Sequence, residues 1–143
     1  MDQLTVLLVD DEAQFREVVA KRLRKRQINL FAAASGPEAL RLMEEQAVDV
    51  VVLDVKMPEM EGTEVLQRIK QLDPTIEVIM LTGHADVETA LKGMELGAFD
   101  YLLKPVNIDD LIYRLQDAYQ RRSLRGQRGD QASGTALTDR KRS

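Results

Sequence analysis

The sequence predicts an α/β fold, a five-stranded parallel sheet of the doubly wound, flavodoxin-like kind with five helices, and three observations carry that prediction. Five short apolar runs recur, and the leading one, Val48-Asp49-Val50-Val51-Val52-Leu53-Asp54, is rich in β-branched residues and lacks the alternation of a half-exposed strand. Runs of that kind fit strands covered on both faces. Each run is followed by apolar residues at helical spacing, and regular strand-helix alternation implies right-handed crossovers between parallel strands. Four of the five runs end in a residue suited to chemistry: Asp10-Asp11, Asp54, Thr82 and Lys104.

Taken in order, the first strand is Leu4 to Val9, ending at Asp10-Asp11. Phe15, Val18, Val19 and Leu23 then form the apolar stripe of a helix, with Arg16, Lys21, Arg22 and Lys25 mostly between them. The second strand, Ile28 to Ala34, is weaker and small in side chain, which suits an edge. Ser35-Gly36-Pro37-Glu38 fits a capping box with proline at the first helical position, opening a helix through Ala39, Leu40 and Met43, so Ser35 is assigned to structure. After the central strand Pro58 lacks a donor for any further ladder, and a helix entered at Gly62 and Thr63 turns Val65, Leu66, Ile69 and Leu72 inward before Asp73-Pro74 stops it. Ile76 to Leu81 is the fourth strand, ending in Thr82. Asp86 is expected to cap a helix carrying Val87, Ala90, Leu91 and Met94, with Gly97 as its left-handed C-terminal cap. Phe99 to Leu103 is the fifth strand, ending in Lys104-Pro105. Asn107 caps a last helix with Ile108, Leu111, Ile112, Leu115 and Tyr119 inward, and the pattern fades near Leu124 to Gly126. Of the two common strand orders, 2-1-3-4-5 suits five strands and sets the first beside the third at the topological switch point. That order brings Asp10, Asp11 and Asp54 together.

At 143 residues the chain is long enough for one core. It contains no cysteine, which removes disulfides, thiolate zinc sites and thiol nucleophiles together. No apolar run approaches the roughly 20 residues that span a bilayer, and Met1-Asp2-Gln3 lacks the basic start of a secretory signal, so a cytoplasmic protein is expected. Residues 1–120 carry 13 basic and 22 acidic side chains, net −9, while residues 121–143 carry 7 and 2, net +5. An acidic body repels nucleic acid, and the expected division is a folded domain over 1–122 and a basic, disordered tail over 123–143.

Three carboxylates in one crevice repel, at about 4 kcal/mol for a pair of unit charges some 4 Å apart at an effective dielectric near 20. A hard divalent cation removes that repulsion. Magnesium takes oxygen ligands and keeps several waters, so two carboxylates, a backbone carbonyl and waters satisfy it, whereas no calcium loop of the EF-hand type is present. A carboxylate beside such an ion can attack phosphorus to form an acyl phosphate, and Asp54 is the best placed. The transferred group spreads charge over three oxygens, which magnesium, the Lys104 ammonium and the Thr82 hydroxyl would share. Gly62, Gly83, Gly93 and Gly97 are isolated, so no nucleotide-binding loop is indicated.

Asp10-Asp11, Asp54 with Met57-Pro58, Thr82 and Lys104-Pro105, in this order and at these spacings, resemble the receiver domain of two-component response regulators over residues 4–122. The resemblance implies a receiver domain over residues 1–122, Asp10 and Asp11 as magnesium ligands, Asp54 as phosphoacceptor, and Lys56 as a further ligand through its backbone carbonyl. It implies Lys104 as the phosphate's counter-charge, Thr82 and Tyr101 as a switch pair, and a cis Lys104-Pro105 bond. Lys56 and His84 fall on the positions that flank the phosphoryl group, and neither orients water well, so slow dephosphorylation is expected. The partners implied are a histidine kinase or phosphotransfer protein and a downstream protein target that reads the fourth helix, fifth strand and fifth helix. Neither direct nucleic acid binding nor membrane contact is expected, and the chain is a monomer or a phosphorylation-dependent dimer.

A stand-alone regulator is the first reading, since the residues after Gly126 are too few and too polar to build an output domain. The competing readings are a receiver fragment of a larger transcriptional regulator and an aspartate-nucleophile magnesium phosphatase. Such phosphatases want an acid two residues after the nucleophile, where Lys56 stands. A flavin carrier of the same topology lacks stacking aromatics at these strand ends.

Overall fold

A computed structural model describes residues 3–134, with side chains to residue 125. The elements run β1 (Thr5–Val9), α1 (Ala13–Lys25), β2 (Asn29–Ala33), α2 (Gly36–Glu45), β3 (Val50–Asp54), α3 (Gly62–Leu72), β4 (Glu77–Thr82), a 3-10 turn (His84–Asp86), α4 (Val87–Glu95), β5 (Asp100–Leu103) and α5 (Ile108–Gly134). All strand pairs are parallel, in the order β2-β1-β3-β4-β5. Every residue of β3 and β4 is buried, as their unbroken apolar runs require.

Alternation along the strands divides the core in two. Leu7, Val9, Val51, Leu53, Val78 and Met80 face α2, α3 and α4, meeting Ala39, Val65, Leu66, Ile69 and Ala90. Val6, Leu8, Val50, Val52, Ile79 and Leu81 face α1 and α5, meeting Val19, Leu23, Leu111 and Leu115. No helix of the described residues is long and apolar enough to cross a membrane.

Local signals explain the helix ends. Ser35 Oγ accepts the Glu38 amide at 3.2 Å and Asn107 Oδ1 accepts the Asp110 amide at 2.9 Å. Gly97 has the positive φ, 109°, that closes α4. Asp86 departs from expectation: it ends the 3-10 turn with φ −115° and ψ 18° and makes no capping bond. Its backbone is already turning, so its carboxylate is not aimed at the next amides, and it lies 3.9 Å from Lys56 Nζ.

The last helix also departs from expectation, running to Gly134 instead of fading at Leu124 to Gly126. Arg, Gln and Ala are good helix formers that need no apolar face, although Gly126 and Gly129 each lower the propensity by roughly 1 kcal/mol relative to alanine. Of the tail expected over 123–143, residues 135–143 lie outside the described residues.

One polar feature was not legible in the sequence. Glu77, at the start of β4, is 1 % exposed and lies 3.3 Å from Lys70, 3.4 Å from Arg121 and 3.3 Å from Arg125. Next to it Arg122 reaches Asp49 at 3.1 Å and Asp73 at 3.5 Å. Burial pushes the Lys70 ammonium down, and Glu77 acts against that. Burial acts to raise the Asp73 carboxyl, but the Thr75 hydroxyl and amide and Arg122 hold it below its ordinary value. These pairs fasten α5 to the edge of the sheet where the strands begin. Because the arginines keep contact with water, Glu77→Ala is expected to destabilise by about 2 kcal/mol, less than for a fully buried pair. The midpoint of urea unfolding reads this, and an unchanged midpoint would show that the pairs add nothing net.

Candidate functional site

The C-terminal ends of the strands form the candidate site, because a parallel sheet delivers every strand end to one edge. Asp10 follows β1, fully buried, and its amide donates to the Ala33 carbonyl at 3.1 Å. Asp54 is the last residue of β3, 8 % exposed, and stands opposite Leu81 of β4. Thr82 ends β4, buried, and its hydroxyl donates to the Gly83 carbonyl at 3.0 Å. Lys104 follows β5, tied to it by its amide on the Thr82 carbonyl at 2.8 Å, and the Lys104-Pro105 bond is cis.

Lys104 joins these parts. Its Nζ lies 2.8 Å from Asp10 Oδ2, 3.1 Å from Glu12 Oε1 and 3.6 Å from Asp54 Oδ2, and 4.4 Å from the centre of the Phe15 ring. Burial works to lower the Lys104 ammonium, but hydrogen bonds to Asp10 and Glu12 and the charges of Asp54 and Asp10 hold it above its ordinary value. Asp54 is pushed up to about 6, first by burial and then by the Asp10 charge, against the pull of Lys104 and of the Lys56 amide, which donates to Asp54 Oδ1 at 3.4 Å. An acid so displaced in a crevice is a candidate for chemistry.

Carboxylate oxygens of Asp10, Glu12 and Asp54 all lie within 4.8 Å of one another. Three ionised carboxylates against one ammonium leave two negative charges, which a small divalent cation with hard oxygen preference matches. The donor set therefore fits magnesium. The cluster takes in Glu12, which the sequence reading missed, while Asp11 is exposed and outside it. The Glu12 amide donates to Asp10 Oδ1 at 2.9 Å, which closes the bend after β1 around that carboxylate.

The remaining expected residues take these places. Lys56 sends its ammonium into solvent near Asp86, and His84 is exposed in the 3-10 turn. Tyr101 stands opposite Met80 in the sheet and packs, partly buried, on the core beside α4, so alternation sets it on the face that Met80 and Thr82 share.

A family model described as the response regulator receiver domain matches residues 6–116. The chain belongs to this family. The receiver domain is 40% identical over 120 residues to an NtrX-like response regulator of Rickettsia typhi, covering 82% of this chain and 25% of that protein. It is 39% identical over 117 residues to the transcriptional regulatory protein ZraR of Escherichia coli K12, covering 82% and 26%. A response regulator receiver domain from Clostridium thermocellum superposes with a TM-score of 0.81 at 36% identity, over 85% of this chain and 98% of that one. The receiver domain thus spans about a quarter of the length of these two curated relatives. Receiver domains serve two-component signalling: an aspartate takes a phosphoryl group, a histidine kinase is the partner and magnesium binds in an acidic pocket.

Proposed function

We propose that Asp54 is the phosphoacceptor of this receiver domain. The observation that carries this reading is its position: a buried carboxylate raised to about 6, between Asp10 and Lys104, at the switch point of the sheet. An Asp54 oxygen attacks phosphorus, the bond from phosphorus to the donor breaks, and the donor leaves with the electron pair. At pH 7 most of Asp54 is ionised, so a nucleophile is present without a separate base. Lys104 is 19 % exposed and within reach of the oxygens of the arriving group, and the Thr82 hydroxyl can turn from the Gly83 carbonyl toward them. Asp10, Asp54, the Lys56 carbonyl and, through its exposed side chain, Asp11 would hold magnesium, which supplies charge compensation for the phosphoryl oxygens. Thr82 moving inward leaves room for the Tyr101 ring, which alters the face of α4, β5 and α5 that a protein target reads.

The quarter-length match favours a receiver portion of a longer transcriptional regulator over a stand-alone module, cytoplasmic in either case. Any nucleic acid binding then belongs to another segment, and self-association follows phosphorylation. Lys56 in place of an acid speaks against a phosphatase. The test is acetyl phosphate with magnesium, followed by borohydride reduction and peptide mapping. One phosphoryl group per chain, trapped at Asp54, is expected; label elsewhere, or continuous turnover of phosphate monoesters, overturns the reading. With Lys56 and His84 flanking the group, its half-life at 25 °C is expected in minutes or longer, and decay in seconds would refute their assigned effect.

A further inference from the structure

Glu12 stands in the carboxylate cluster, and its carboxylate also reaches Lys104. Its position at the start of α1 usually serves to cap the helix, yet its side chain makes no capping bond. Its carboxylate instead lies 3.1 Å from Lys104 Nζ, closer to that ammonium than Asp54 is at 3.6 Å. Lys104 has few alternatives for its orientation: its ammonium lies 4.4 Å from the centre of the Phe15 ring, and Asp10 accepts from it at 2.8 Å.

We infer that Glu12 is a positioning residue that holds the Lys104 ammonium on the Asp10 side of the crevice until a phosphoryl group draws it away. The inference rests on Asp54 being the acceptor. Two negative groups compete for one cation: Glu12 before transfer, the phosphoryl oxygens during it. Glu12 is 65 % exposed, so water screens the pair and the competition is weak enough to be reversible. Removing the carboxylate frees Lys104 for the phosphoryl oxygens and raises the transfer rate. An exposed pair is worth up to about 1 kcal/mol, so the gain is roughly three- to fivefold.

The experiment is a double-mutant cycle on the rate of phosphorylation by acetyl phosphate at saturating magnesium, using Glu12→Gln and Lys104→Met, the second removing the charge while keeping a long unbranched side chain. Glu12→Gln is expected to accelerate phosphorylation roughly three- to fivefold with Lys104 present and less than twofold in the Lys104→Met background. Magnesium affinity by calorimetry is expected to fall, but by less than tenfold, since Glu12 adds its charge to the carboxylate cluster, and the side-chain NMR signal of Lys104 is expected to move in Glu12→Gln. Equal acceleration in both backgrounds would reveal general charge repulsion and overturn the inference. So would no acceleration, an unmoved Lys104 signal, or a tenfold loss of magnesium affinity, which would make Glu12 a ligand instead. If the wild type is labelled at Asp54 and Glu12→Gln is no faster, this inference alone falls. If the wild type takes no label, the Asp54 reading falls and takes this one with it.

Discussion

Asp54→Asn is expected to abolish phosphoryl acceptance and, in the absence of added metal, to stabilise the fold by roughly 2 kcal/mol at pH 7. Both effects have one cause. Asp54 is raised from 3.8 to about 6 by burial and by Asp10, so the folded protein favours its protonated form. The stability that this preference contributes is fully present below the unfolded value near 4 and is lost as pH rises through about 6. Above that, the fold holds an ionised carboxylate that it would sooner have neutral. Asparagine fills the same space without titrating. The two proteins should therefore be nearly equal at pH 4, separate between pH 4 and 6, and differ by a constant amount above. Added magnesium should close the gap by stabilising the wild type alone, by about 2.7 kcal/mol at a hundred times its dissociation constant. Urea unfolding at several pH values, with and without magnesium, reads all of this. A wild type as stable as Asp54→Asn at pH 7 without metal would show that Asp10 and burial do not strain the acceptor.

The acceptor was legible because its surroundings are written in long-range pattern. Strands buried on both faces give unbroken apolar runs, and the switch-point rule then sets Asp10 beside Asp54 without any side-chain detail. Lys104 and Thr82 followed from the same edge. Features set by a single bend or by distant partners were not legible. Glu12 looks in sequence like any acid at a helix start, and only the fold brings Lys104, 92 positions away, to its carboxylate. Asp86 has the residue type of a cap, but the 3-10 turn ahead of it uses up the geometry that a cap needs. Glu77 breaks the apolar pattern of β4, and its cations come from residues 7, 44 and 48 positions away, Lys70, Arg121 and Arg125. The far end of α5 lacks an apolar stripe, so periodicity says nothing there, and its glycines argue for an earlier end.

Gly62→Ala is expected to destabilise by about 3 kcal/mol and to slow phosphorylation, although on helix propensity alone alanine at the first position of α3 would be favoured by up to about 1 kcal/mol. The sign is decided by what a methyl group meets. A Cβ at Gly62 would lie 2.7 Å from the Asp54 carbonyl oxygen, 2.8 Å from Val55 Cα and 2.9 Å from the Val55 carbonyl oxygen. All three are backbone atoms, so no flexible side chain can swing aside. The same approach is what lets the Gly62 amide donate to the Val55 carbonyl at 2.8 Å, seating the start of α3 directly on the exit of β3. Relief requires the chain at 54–55 to move, and that chain carries the acceptor carboxylate and is tied to β4 through the Val55 amide on the Leu81 carbonyl at 2.9 Å. A displaced Asp54 loses its alignment with Lys104, so stability and acceptance should fall together. Gly83→Ala supplies the contrast in stability, since a Cβ there meets nothing within 4 Å. Thermal unfolding of the two variants, paired with the rate of labelling by acetyl phosphate in Gly62→Ala, decides the matter. If Gly62→Ala unfolds with the wild type and accepts phosphate at the same rate, α3 is free to shift and the acceptor is not positioned by its packing.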